Sequence, residues 1–157
     1  MAVRLRQTVT ETHQLESYPK FAQEAMRKAA NKFVDKILPQ HFTEEGASEY
    51  GYEPRAPEYE ARKLRKFGHK RPLELTGDTK RVALRRSVVR VLGAGHRKRS
   101  QASAVVSVPF QIGNFSPQRR REIQATSRRD GAILAVEIED VLTKRLNQKS
   151  SPKVVTP

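Results

Sequence analysis

Between Pro57 and Asp78 the chain is punctuated in an order that leaves little choice of local structure. Pro57 suits a first helical turn, where its missing N–H costs nothing, and Glu58 and Glu60 favour the positive end of a helix dipole. Lys63, Arg65 and Lys66 then sit at the negative end, so the pattern predicts a short helix over 57–66. Gly68 stops it, because glycine enters the left-handed conformation without steric cost, and Pro72 prevents its resumption. Leu73 and Leu75 alternate with Glu74, which predicts a strand-like piece with one apolar face. Thr76, Gly77 and Asp78 follow as a turn or a helix start.

The flanks carry the two longest periodic segments. From Ser17 to Leu38 a helix is expected, with Ser17 as cap, Pro19 in the first turn and Phe21, Ala25, Ala29, Phe33 and Ile37 recurring every fourth residue. Pro39 should end it. A second helix should run from Ser127 to about Asn147. Asp130 three residues after Ser127 makes a capping-box pattern, and Leu134, Ile138, Val141, Leu142 and Leu146 form the stripe. Between them, 39–56 holds Glu44, Glu45, Glu49 and Glu53 among Gly46, Gly51 and Pro54, and reads as a long exposed acidic loop. Residues 78–87 fit either helix or strand, whereas 87–92 and 104–109 predict two strands joined by a flexible basic loop. Ser116-Pro117 is another helix start. Residues 1–16 read as an arm or an edge strand, and 148–157 as a tail. The expectation is therefore one α+β domain over 17–147, with two longer helices packed on a small antiparallel sheet and long charged loops.

One domain is also what 157 residues support. The 31 Lys+Arg against 17 Asp+Glu give a formal net charge of +14, which attracts a polyanion or an acidic protein. The chain has no cysteine, so disulfides, thiolate metal sites and cysteine nucleophiles are excluded. The first residues turn polar at once, and no run approaches the ~20 apolar residues of a membrane span. That predicts a soluble protein made in the cytoplasm and used there or built into an assembly there. His13, His41, His69 and His96 stand alone, away from the spacing that places two ligands on one helix face, and read as surface histidines rather than a metal site. Gly93-Ala94-Gly95 lacks the third glycine of a phosphate cradle and reads as a hairpin tip. Glu44 with Glu45, and Glu137 with Glu139, read as solvated carboxylates, so neither catalysis nor a cofactor is expected. Arg85-Arg86, Arg97-Lys98-Arg99, Arg119-Arg120-Arg121 and Arg128-Arg129 could hold phosphates or acidic partners. With an aromatic content of 6%, any nucleic-acid contact would be nonspecific.

Taken together, Tyr59-x-x-x-Lys63-x-x-Lys66-x-Gly68-x-x-x-Pro72-Leu73-x-Leu75-Thr76-Gly77, Pro109-Phe110 and the Ser127 to Asp130 step resemble the tail-completion and virion-morphogenesis proteins of tailed bacteriophages. The resemblance covers most of 17–147. The chain departs from it in a longer acidic stretch before Pro57 and in a higher basic charge. The resemblance implies a noncatalytic virion protein of the neck, forming a homo-oligomeric ring that joins the head connector to the tail tube or tail terminator. Glu44, Glu45, Glu49 and Glu53 of one copy could then meet Arg97, Lys98 and Arg99 of the next, a pairing suggested by the charge pattern alone. Arg119, Arg120, Arg121, Arg128 and Arg129 could face DNA passing through the neck or an acidic partner. The alternative is a small basic protein that binds nucleic acid nonspecifically, as ribosomal and nucleoid proteins do.

Overall fold

The computed structural model describes residues 2–8, 18–74, 77–96, 99–109 and 117–150. Its elements run β1 (Ala2–Thr8), α1 (Tyr18–Lys32), α2 (Glu44–Glu49), α3 (Pro57–Phe67), α4 (Asp78–Arg86), β2 (Val88–His96), β3 (Arg99–Ser107), α5 (Pro117–Gln124) and α6 (Arg128–Ser150). The three strands form one antiparallel sheet in the order β1-β3-β2, so β1 is an edge strand. The class is α+β, as the periodicities predict.

α1 is the centre of the packing. Its alanines, Ala22, Ala25, Ala29 and Ala30, are buried together with Met26, and their small size lets the helix approach both the sheet and α6 closely. On the sheet, alternation turns Ala102, Ala104 and Val106 of β3 and Val89 and Val91 of β2 into the same core, in register Val89 to Val106 and Val91 to Ala104. Leu134 and Val141 of α6 are buried, with Ile138, Leu142 and Leu146 half-buried behind them. Ion pairs align the two helices: Lys32 Nζ lies 2.6 Å from Glu137 Oε2, and Arg145 donates to both oxygens of Glu24 at 2.9 and 2.7 Å. As residue numbers rise along α1 they fall along α6, so the pair is antiparallel. Ser127 and Asp130 close the expected capping box at the start of α6, with Asp130 N to Ser127 Oγ 3.1 Å and Ser127 N to Asp130 Oδ2 2.9 Å.

Four expectations about the path of the chain need correction. The helical path does not stop at Pro39. It loosens to a π-helical turn over Phe33–Ile37 and then tightens to a 3-10 turn over Leu38–Phe42, where Pro39 sits in the first turn and its lack of an N–H does no harm. Residues 39–56 are not a long exposed loop. His41, Phe42, Tyr50 and Tyr52 are buried, and Thr43 caps α2 by accepting from Gly46 N at 3.0 Å. The segment around Leu73 is a turn rather than a strand, with Leu73 itself left-handed at φ +54°. The β2–β3 hairpin is tight, because pairing extends to His96 opposite Arg99, and residues 93–96 and 99–103 are strand rather than loop. Residues 78–86, which the sequence left open, are helix. The expectations for 9–17, 110–116 and 151–157 lie outside the described residues.

Candidate functional site

The Tyr59 to Gly77 motif folds as a joint between α3 and α4. Pro57 occupies the first turn of α3, and Gly68, at φ +74°, ends it by returning its N–H to Leu64 O at 2.8 Å. Lys63, one of the three cations expected at the end of the helix, is only 5% exposed. Its ammonium donates to the Arg71 carbonyl, stapling the helix to the turn that follows. Burial holds the Lys63 pKa below the usual ammonium value, and the Glu74 carboxylate pulls the other way. Glu74 is itself buried, with Arg71 Nη1 3.6 Å from Oε1. Leu73 uses its left-handed backbone to press against the hydrophobic core, a conformation that costs a non-glycine residue about 1 kcal/mol. Gly77, at φ +84°, opens α4. Tyr59 is half-buried beneath the Arg62 guanidinium, 5.8 Å from the ring centroid, while Lys66 and Arg65 stay exposed. Pro72 stands in the turn; Leu75 and Thr76 lie outside the described residues.

A second cluster was not legible as a unit. His41 is fully buried, contrary to the surface reading, and stacks on Tyr50 with ring centroids 3.8 Å apart and 4° between planes. Its Nδ1 lies 2.6 Å from the Tyr52 hydroxyl. Burial pushes the His41 pKa down to about 4, opposed by the Asp130 carboxylate, so the ring is neutral at pH 7. The Tyr50 and Tyr52 hydroxyls are pushed up, first by burial and then by Asp130 and Glu122 respectively. Arg55 pairs with the buried Glu122. The cluster ties the 38–55 segment to α5 and to the start of α6. The signal for it was the density of aromatics, His41, Phe42, Tyr50 and Tyr52, in a stretch whose glutamates suggested a loop.

The acidic residues divide. Glu44 Oε1 accepts from Lys70 N at 3.1 Å, and Glu49 Oε1 accepts from the Ser127 hydroxyl at 3.0 Å, so both act within the chain. Glu45 and Glu53 are exposed. Of the basic residues, Arg119, Arg120 and exposed Arg121 belong to α5, and exposed Arg128 and Arg129 open α6. Arg99 begins β3, and Arg97 and Lys98 lie outside the described residues. Among the described residues no group of three or more His, Asp or Glu could hold a metal ion, and no helix is long and apolar enough to cross a membrane.

No known protein family, curated protein or solved structure matches the chain. The buried partners of Lys63 and His41 make both clusters joints: each locks two chain segments together.

Proposed function

We propose that this chain is a structural protein of the bacteriophage neck, assembling as a ring of identical copies that joins the head connector to the tail. The observation that carries the reading is the α3–α4 joint. The residues that give the sequence its likeness to tail-completion proteins serve one folded unit: Lys63 staples the turn, Gly68 and Gly77 supply its left-handed bends, and Leu73 fills the core beneath it. Turn residues that cooperate in this way support a shared architecture rather than a chance run. The buried ties at Lys63 and His41, with the partly exposed ion pairs between α1 and α6, suit a protein whose task is to transmit force through a fixed shape. A +14 chain is suited to an acidic connector face or to the DNA passing through the ring.

The test is quantitative mass spectrometry of purified particles of the phage or prophage whose genome carries the gene. A stoichiometry of a handful to roughly a dozen copies per particle, as a closed cyclic ring gives, supports the neck. Absence from particles overturns it. The competing reading, nonspecific nucleic-acid binding, predicts instead an affinity for duplex DNA that falls steeply with salt and with substitution of the arginines.

A further inference from the structure

Two faces of the described molecule, one on the sheet and one on α6, carry large exposed apolar residues. The sheet turns Val89, Val91, Ala104 and Val106 towards α1 and turns Val88, Arg90 and Leu92 away from it. Val88 is 50% and Leu92 53% exposed, and Arg90 between them is in no ion pair among the described residues. α6 also packs on α1 and presents Ala132, Val136, Glu139 and Asp140 outward at i, i+4, i+7 and i+8, one helix face. Val136 is 54% exposed, and neither Glu139 nor Asp140 is in an ion pair among the described residues. The strips match in length: 88–92 spans about 13 Å of strand at ~3.3 Å per residue, and 132–140 about 12 Å of helix at ~1.5 Å per residue.

We infer that the outer face of the sheet docks on the outer face of α6 in a second copy of this chain, Val88 and Leu92 against Val136 and Arg90 against Glu139 and Asp140. The inference rests on the ring reading above and adds the two surfaces that build it. One strip is apolar and cationic, and the other is apolar and anionic. Sheet-to-sheet pairing would set Arg90 against Arg90, and like charges across an interface are unfavourable. Exposed valine and leucine give a phosphate backbone nothing to bind, since such contacts are made by cations and hydrogen-bond donors. Because the two faces are different surfaces of the chain, the contact is heterologous. Each added copy leaves one of each face free, so growth stops only when a ring closes.

The experiment is native mass spectrometry and light scattering of the full chain at low salt, for wild type, Arg90→Glu and the double variant Glu139→Lys/Asp140→Lys. All three positions are exposed, so the fold tolerates the changes. Each variant alone should associate at least about ten-fold more weakly, a ~1.4 kcal/mol change, and be found as monomer. An equimolar mixture should regain oligomers, because each mixed contact again sets opposite charges together. Leu92→Asp should dissociate the assembly without being rescued by the double variant. Variants that assemble like wild type, a mixture that stays monomeric, or a wild type that is monomeric throughout overturn the inference. So does an Arg90→Glu chain that loses duplex DNA binding while its assembly is unchanged, which would give the sheet face to nucleic acid. An oligomer indifferent to these substitutions refutes the interface and leaves the ring standing. Copy number in particles tests the neck reading whichever faces meet.

Discussion

Replacing His41 by asparagine should flatten the acid side of the stability curve. In the folded chain the imidazole is sealed between Phe33, Tyr50 and Tyr52, and burial lowers its pKa from the usual 6.5 to about 4. As the pH falls below 6.5, the unfolded chain takes up a proton that the folded chain refuses. The unfolded state then binds more protons, so stability rises with pH across this window and is lost on descending it. The loss begins near pH 6.5 and is complete below about pH 4. The interval from 6.5 to about 4 corresponds to roughly 3 kcal/mol, a large share of the 5–15 kcal/mol typical of a domain. Asparagine keeps a polar atom near the Tyr52 hydroxyl but cannot titrate. It gives up the stack on Tyr50, so the variant starts less stable at pH 7. The assay is urea unfolding of both proteins at half-unit steps from pH 7 to pH 4. Carboxylates such as Glu24, held low chiefly by its hydrogen bond from Arg145, titrate in both proteins and cancel in the difference. Wild type should lose about 3 kcal/mol more than the variant over that range. Parallel curves would refute the argument, because they would mean that His41 is not kept neutral by its surroundings.

Three further outcomes follow from the same geometry. Gly46→Ala would bring a Cβ within 2.0 Å of the Gln40 carbonyl oxygen, so α2 must shift, and thermal unfolding should show a loss of about 1–3 kcal/mol. Lys63→Met should cost about 2 kcal/mol by removing a charged donor from the Arg71 carbonyl and leaving buried Glu74 with Arg71 as its paired cation but without the nearby Lys63 charge; a double-mutant cycle with Glu74→Gln should give a coupling above ~0.5 kcal/mol, and additivity would show that the two do not interact. Ser127→Ala should cost about 1 kcal/mol through the lost cap of α6, and Asp130→Ala more, since Asp130 is also buried beside the His41 cluster; equal, negligible losses in denaturant unfolding would contradict the capping account.

What the sequence disclosed followed local rules. Proline at the start of α3, glycine at its end, the Ser127 to Asp130 box and the every-fourth-residue stripe of α1 are each set within one or two turns of chain, and each stands where the pattern placed it. The misreadings came where tertiary burial overrode local polarity. Glu44 and Glu49 made 39–56 resemble a loop, yet they bond Lys70 N and Ser127 Oγ from residues far along the chain, and the aromatics between them are core. Lys63 was legible as a cation at the negative end of α3, but the burial that the fold gives it beside the Arg71 carbonyl and Glu74 was not. The loop predicted between β2 and β3 was strand because Gly93 to Gly95 pair with Ala102 to Ser100, a cross-strand register that glycine content alone does not reveal. For the site, the sequence supplied the motif but not its use: Gly68 and Gly77 were legible as bends, and the staple that joins them was not.

The central claim is that this chain joins heads to tails. Its most direct test is deletion of the gene from an inducible phage genome, followed by electron microscopy of the lysate. The account predicts DNA-filled heads and finished tails lying unjoined, with whole particles restored when the wild-type chain is supplied in trans. Intact, infectious particles in the deletion lysate would contradict it.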